Sequence, residues 1–122
     1  MAKILLVEDD MPTVELMELV LKPRGYEIIH TNDGSKAFKM AKEHRPELII
    51  LDMMLPQMDG YGVQMQMLED DDTKKIPILI TTSKAMMEEV FKTADNVRGF
   101  ISKPFTVREL VDKIRNILNK SA

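Results

Sequence analysis

The chain has 122 residues, of which 44% are hydrophobic and 30% charged, so it suits one folded domain and is too apolar for a disordered chain. Its net charge of −3 argues against a nucleic-acid-binding surface of its own. There is no cysteine, which excludes disulfides and thiolate metal sites, and no apolar run approaches the roughly 20 residues of a membrane span. We therefore expect one cytoplasmic domain, residues 1–122.

Five short apolar runs predict five β-strands. They lie at residues 3–7, 26–30, 47–51, 76–81 and 99–102. The third and fourth runs are almost continuously apolar, which is typical of parallel strands covered on both faces.

A helical pattern follows each predicted strand. The first helix starts at Asp10, a capping carboxylate, with Pro12 in the first turn where a missing N–H costs nothing. Pro23 and Gly25 end it. The other helices are expected after the turns at residues 32–34 and 59–60, at residues 84–93, and after a capping box at residues 106–109. The last of these has the clearest amphipathic spacing.

Five βα units with short connections predict a doubly wound α/β domain. Right-handed crossovers place the five strands in one parallel sheet with the five helices on both faces. The strand order 2-1-3-4-5 does not follow from the patterns and is adopted from the flavodoxin-like arrangement.

Acidic side chains follow two of the predicted strands. Glu8, Asp9 and Asp10 follow the first strand, and Asp52 follows the third. In the order 2-1-3-4-5 these strands are neighbours, so the acids face each other at the edge where open α/β sheets bind ligands. Crowded carboxylates repel one another, and a hard divalent cation relieves that repulsion. The cluster predicts a Mg²⁺ site, with Asp10 better explained as a helix cap than as a ligand.

Two further strand ends carry groups that a metal site does not need. Thr82 and Ser83 follow the fourth strand, and Lys103 follows the fifth. An ammonium beside a metal ion is favourable only when more negative charge arrives, and a phosphoryl group would supply it. Lys103 and the Thr82 hydroxyl could bind its oxygens, with backbone N–H groups around Met53 and Ser83 as further donors. Asp52 is the carboxylate best placed to carry the group, as an aspartyl phosphate.

The ordered set of motifs resembles the response-regulator receiver domains of two-component signalling over essentially the full chain. The motifs are VED at residues 7–9, LDMMLP at residues 51–56 with DG at 59–60, TS at 82–83, and KPF at 103–105. The resemblance implies that Asp52 accepts a phosphoryl group from a phosphohistidine on a sensor histidine kinase or a phosphotransfer protein. It also implies that Asp9, Asp52 and the backbone carbonyl of Met54 bind Mg²⁺, with Glu8 acting through a water molecule.

The resemblance further implies a conformational switch. Lys103 would pair with the phosphoryl oxygens, and its peptide bond to Pro104 would be cis. Thr82 would move toward the phosphoryl group and Phe100 would turn inward into the vacated space. Phe100 stands where many relatives have tyrosine, and residues 94–99 lack the family's usual Gly-Ala-Asp turn. The output would be protein–protein contact through the predicted fourth helix, fifth strand and fifth helix.

The expected protein is a stand-alone switch, monomeric or weakly dimeric, that catalyses only its own phosphorylation and dephosphorylation and acts on a downstream protein target. One alternative is a receiver-fold module that binds partners without phosphorylation. It is disfavoured because the site residues are all present, namely Asp9, Asp52, Thr82 and Lys103. A phosphohydrolase of the haloacid-dehalogenase type is a third hypothesis. It would need an acid two residues after the nucleophile, where this chain has Met54.

Overall fold

The computed structural model describes residues 2–55, 58–83 and 94–121, and all five predicted strands are present. They are β1 (Lys3–Val7), β2 (Glu27–Thr31), β3 (Leu48–Asp52), β4 (Ile78–Thr82) and β5 (Val97–Ser102). All neighbours pair in parallel, in the order β2-β1-β3-β4-β5. Both the doubly wound α/β class and the flavodoxin-like strand order are therefore confirmed.

Four α-helices lie within the described ranges. They are α1 (Met11–Leu21), α2 (Gly34–His44), α3 (Gly60–Leu68) and α4 (Val107–Ser121), and a 3₁₀ turn at Lys22–Arg24 extends α1. The helix predicted at residues 84–93 falls outside the described residues, so α4 is the helix that the sequence predicts as the fifth. In the parts of the chain that the structure describes, no helix combines the length and apolar character needed to cross a membrane.

The predicted start of α1 is confirmed. The Asp10 carboxylate accepts a hydrogen bond from the Thr13 backbone N–H at 3.2 Å. Asp10 is thus committed to the first turn of the helix, in agreement with its interpretation as a cap.

The sheet is covered on both faces, which explains its apolar strands. Because side chains alternate along a strand, Ile4 and Leu6 of β1 face α1 and α4, whereas Leu5 and Val7 face α2 and α3. All four are at most 1% exposed. Two apolar layers therefore hold the strands from both sides and fix the positions of their carboxyl ends.

The strand registers bring the predicted site residues to one edge. Val7 pairs with Leu51, Asp52 pairs with Thr81, and β4 pairs its last residue with the last residue of β5. The residues that follow these strands therefore emerge side by side, as the sequence predicts.

The last strand differs from its prediction. It begins at Val97 rather than at Gly99, because Ile78 pairs with Val97 and Leu79 pairs with Gly99. Arg98 is the extra residue of a β-bulge between these pairs.

Candidate functional site

Three carboxylates meet at the carboxyl ends of β1 and β3. Glu8, Asp9 and Asp52 each present an oxygen, and these oxygens all lie within 4.8 Å of one another. Glu8 is 1% and Asp52 is 5% exposed, whereas Asp9 is exposed. The cluster is therefore buried on one side and open to solvent on the Asp9 side.

Glu8 is held through its backbone as well as its side chain. Its N–H donates to the Thr31 carbonyl at 3.1 Å, and its Oε2 accepts from the Asp10 N–H at 3.2 Å. Its carbonyl accepts a hydrogen bond from Nε2 of His30 at 2.8 Å. A carbonyl can only accept, so the Nε2 atom of His30 carries the proton in this contact.

His30 is a site neighbour that the sequence does not reveal. Its only signal is its place in β2, where it pairs with Leu6, two residues before Glu8. β2 ends at Thr31, so the imidazole supplies the donor to the Glu8 carbonyl where the ladder stops.

Among the described residues, Lys103 supplies the positive charge that faces these carboxylates. Its Nζ lies 2.6 Å from Oε1 of Glu8 and 3.4 Å from Oδ2 of Asp52. The end of β5 delivers it there, because the Lys103 N–H donates to the Thr82 carbonyl at 2.8 Å. The Lys103–Pro104 bond is cis, as the family resemblance implies.

Burial and charge shift the proton affinities of this pair. Removal from water raises the pKa of Glu8 from 4.5 to about 7, and the hydrogen bond to Asp52 adds to the rise while that to Lys103 opposes it. For Lys103, burial disfavours the ammonium, but the hydrogen bond to Glu8 and the charges of Asp52 and Glu8 outweigh it and raise its pKa. Lys103 therefore stays cationic, and Glu8 is the group of the pair that changes its protonation near neutrality.

In the described part of the turn after β3, one backbone N–H donates to the Asp52 carboxylate. The Met54 N–H donates to Asp52 Oδ1 at 3.1 Å, whereas the Met53 N–H donates to the Thr81 carbonyl at 3.0 Å. The Met53 N–H is therefore occupied in this conformation, because the sheet ladder continues one residue past β3, and its predicted contact with a phosphoryl group stays a prediction. The Met54 N–H is the donor at the carboxylate.

Gly60 allows the turn to close on the strand. A Cβ at this position would lie 3.0 Å from the Asp52 carbonyl oxygen and 3.0 Å from Cα of Met53. The Gly60 N–H also donates to the Met53 carbonyl at 3.0 Å. The DG pair seen in the sequence thus fixes the loop beside the acidic cluster, since Asp59 caps α3 and Gly60 permits the close approach.

The predicted switch residues lie on one face of the sheet. Phe100 pairs with Ile80, and Thr82 is two residues beyond Ile80, so all three side chains point toward the α2 and α3 side. Thr82 is 2% exposed and Phe100 is half-buried, while Ser83 is exposed beyond the strand end. The predicted partners therefore share one side, but their movement stays a prediction.

The donor set fits a hard divalent cation. Among the described residues the cluster consists of three carboxylates, which match the preference of Mg²⁺ for oxygen ligands, and the exposed Asp9 gives access from solvent. Lys103 contacts Oε1 of Glu8, and the predicted division between the direct ligands Asp9 and Asp52 and the water-mediated Glu8 stays a prediction. The predicted role of the Met54 carbonyl stays a prediction.

Comparisons with known sequences agree with this geometry. A family model described as response regulator receiver domain matches residues 4–115. The polar-differentiation response regulator DivK of Brucella anthropi is 33% identical over 116 residues, covering 94% of this chain and 94% of DivK. RpaA of Synechocystis, a DNA-binding dual master transcriptional regulator, is 31% identical over 122 residues, or 99% of this chain. This chain spans only 51% of RpaA, about half the length of that relative.

Solved structures give the same result. The receiver domain of the sensor histidine kinase PA1611 from Pseudomonas aeruginosa, which has a magnesium ion in its active-site cleft, superposes with a TM-score of 0.88. It is 28% identical and the match covers 97% of this chain and 98% of that one. The chemotaxis protein CheY4 of Vibrio cholerae has a TM-score of 0.88 at 27% identity, covering 96% of this chain and 98% of that one.

Proposed function

Because the chain belongs to the response regulator receiver domain family, we propose that it is a phosphorylation-activated switch with Asp52 as the phosphoacceptor. A carboxylate oxygen of Asp52 attacks the phosphorus of a phosphohistidine on a histidine kinase or phosphotransfer protein. The P–N bond breaks, its electron pair returns to the imidazole nitrogen, and an aspartyl phosphate remains. Apart from its own phosphorylation and dephosphorylation, the proposal assigns the protein no enzymatic activity.

The observation that carries this proposal is the position of Lys103. Its ammonium bridges the two buried carboxylates of Glu8 and Asp52, at 2.6 and 3.4 Å. A phosphoryl group on Asp52 would bring additional negative charge to the same cation. Lys103 can then exchange the Glu8 carboxylate for a phosphoryl oxygen, and the Met54 N–H, 3.1 Å from Oδ1 of Asp52, is a backbone donor for another.

The proposal includes a magnesium ion at the same edge. Asp9, Asp52 and the Met54 carbonyl would hold it, with Glu8 acting through a water molecule. When bound, Mg²⁺ would offset the repulsion among the carboxylates and the incoming phosphoryl oxygens. Asp9, which is exposed, is the ligand that the ion would reach first.

The proposed output step uses the face of the sheet on which the switch residues Thr82 and Phe100 both lie. A phosphoryl group that draws the Thr82 hydroxyl toward it would open space on the face where Phe100 packs. We infer that the signal passes to a downstream protein through β5 and α4 together with the helix predicted at residues 84–93. The proposal treats residues 1–122 as a single receiver domain, monomeric or weakly dimeric, acting in the cytoplasm without direct nucleic-acid binding.

Intact-protein mass spectrometry after incubation with acetyl phosphate tests the proposal. We expect a single phosphoryl adduct on the parent that requires Mg²⁺ and is absent from Asp52→Ala. Asp71→Ala is the matched control, because its carboxylate is 93% exposed in the loop after α3. Labelling of Asp52→Ala to the same extent as the parent would overturn the assignment. No adduct on a folded parent would favour the phosphorylation-independent module.

A further inference from the structure

The stretch that leads into β5 departs from the family pattern in sequence, and the strand itself is irregular. Residues 94–99 lack the usual Gly-Ala-Asp turn, and β5 contains a bulge at Arg98. A bulge leaves its extra residue out of the ladder and re-aims the side chain. Arg98 is exposed on the edge strand of the sheet, where it faces the last helix.

A groove of about 280 Å³ runs between β5 and α4 beside this bulge. Its lining consists of Arg98 from the strand and Lys113, Asn116, Ile117 and Lys120 from the helix. The helical members are spaced three, four and seven residues apart, which places them on one face of α4. We call these five residues the basic groove.

The floor of the basic groove is apolar and close-packed. Gly99 lies under Ile117, and a Cβ at Gly99 would be 3.3 Å from Cδ1 of Ile117. The glycine therefore lets α4 approach the strand directly after the bulge. Ile117 is 6% exposed, and three cationic side chains and one amide surround it.

The cations of the basic groove lack acidic partners in the part of the chain that the structure describes. Arg98 uses its Nε to donate to the Asp95 carbonyl at 2.9 Å, which anchors the side chain and leaves the two terminal nitrogens of the guanidinium for a ligand. Lys113 and Lys120 form no ion pair among these residues, whereas Lys22, Lys42 and Lys74 each do. A net charge of −3 for the whole chain makes this local concentration of positive charge stand out.

We propose that the basic groove binds an acidic segment of a partner protein. A carboxylate of the partner would pair with the fork of the Arg98 guanidinium, and a second with Lys113 or Lys120. This inference rests on the proposed function in one respect, because β5 and α4 belong to the face assigned there to the downstream target. A peptide is favoured over nucleic acid because the lining contains no aromatic side chain for base stacking and the whole chain carries a net charge of −3.

The test is a chemical-shift titration of the ¹⁵N-labelled protein with the blocked peptide ELEELE, before and after phosphorylation with acetyl phosphate and Mg²⁺. We expect the amide shifts to cluster at Arg98 and along the groove-facing side of α4 in at least one of the two states. The peptide QLQQLQ should bind at least about tenfold more weakly, since it removes the charge-assisted contacts.

Matched variants locate the binding site. Arg98→Gln and Lys120→Gln should each weaken binding several-fold, while Lys39→Gln on α2, an equal charge change at an exposed lysine, should leave it unchanged. Shifts spread over other lysines, or equal loss in all three variants, would overturn the inference. Equally strong binding of a short DNA duplex at the same residues would also overturn it, in favour of a polyanion site.

The same samples separate the two hypotheses. If the parent fails to label at Asp52, the proposed function fails, whereas shifts that map to the basic groove would still support the acidic-segment site. If Asp52 labels and the peptide does not map to the basic groove in either state, only the inference of this section fails.

Discussion

Two charged regions of the molecule follow opposite physical rules. The acidic pocket, formed by Glu8, Asp9, Asp52 and Lys103, holds two carboxylates that are at most 5% exposed and that share one cation. The basic groove on the edge of the sheet carries cations that are exposed and have no acidic partner in the described chain. In the acidic pocket the energy of each charge is set mainly by the other charges, whereas in the basic groove it is set mainly by solvation.

This difference in burial indicates which part of signalling each region can perform. Charges removed from water interact strongly, so one added phosphoryl group can displace existing contacts in the acidic pocket. Repulsion between exposed charges is screened beyond about 10 Å at 0.1 M salt. The cations of the basic groove can therefore remain unpaired without destabilising the fold. The acidic pocket is therefore suited to respond to a covalent change such as phosphorylation, and the basic groove is suited to bind a partner.

The largest expected effect is the loss of the shared cation. Lys103→Met keeps the length of the side chain but leaves Glu8 and Asp52 without a counter-charge. We expect a destabilisation near the lower end of the about 3–5 kcal/mol seen for broken buried pairs, because Glu8 can take up a proton. Lys113→Met in the basic groove should change the free energy of unfolding by less than about 0.5 kcal/mol. Urea denaturation at pH 8 measures both, and equal losses would abolish the contrast between the two regions.

A second effect comes from the proton on Glu8. Its pKa is raised in the folded state from 4.5 to about 7, so its stabilising contribution is complete below pH 4.5 and is lost as the pH rises through 7. The full difference corresponds to about 3 kcal/mol, and we expect about 2–3 kcal/mol of it between pH 4.5 and 8.

Comparison with Glu8→Gln isolates this contribution. The glutamine cannot titrate, so the difference between the parent and the variant in the free energy of unfolding should change steadily between about pH 4.5 and 7 and level off above pH 7. Glu43→Gln, at an exposed position of α2, should show no such change. A parent and Glu8→Gln that depend on pH in parallel would mean that Glu8 has the same pKa in the folded and the unfolded protein, which would contradict the raised value.

The sequence predicts the first region much better than the second. Continuous apolar runs predict the strands, and the acids directly after them must emerge at one edge once the strands are parallel. That Glu8 and Asp52 are neighbours at this edge depends also on the strand order, which the patterns do not give and which comes from the flavodoxin-like arrangement. The capping role of Asp10 follows from local chemistry alone. Each of these features depends on a pattern that is contained within a few residues.

Features that depend on pairing between distant segments escaped prediction. The bulge at Arg98 arises from the register of β4 with β5, and no local pattern around residues 94–99 encodes it. The occupied N–H of Met53 has the same origin, since its acceptor is the carbonyl of Thr81 on the next strand. The sequence places no metal-ligating residue at a suitable spacing from His30. His30 becomes a neighbour of the acidic pocket only through the pairing of β1 with β2.

The smallest effect that we predict concerns His30, which lies at the border of the acidic pocket. His30→Leu should reduce stability by about 1 kcal/mol, the typical value of one hydrogen bond, because the Glu8 carbonyl loses its donor. That carbonyl belongs to the peptide group that joins Glu8 to Asp9, so its orientation also sets the direction of the Asp9 carboxylate. His30→Leu should therefore weaken Mg²⁺ binding about threefold, roughly half of one hydrogen bond in energy.

A conservative variant distinguishes positioning from simple packing. His30→Gln retains an N–H donor that can reach the Glu8 carbonyl, so it should recover most of the Mg²⁺ affinity that His30→Leu loses. His44→Leu, at an exposed histidine near the end of α2, should leave the affinity unchanged. Isothermal titration with Mg²⁺ measures all three variants. If the His30→Leu and His30→Gln proteins bind Mg²⁺ equally well, the imidazole contributes packing alone. The acidic pocket is then oriented by β1 and Lys103.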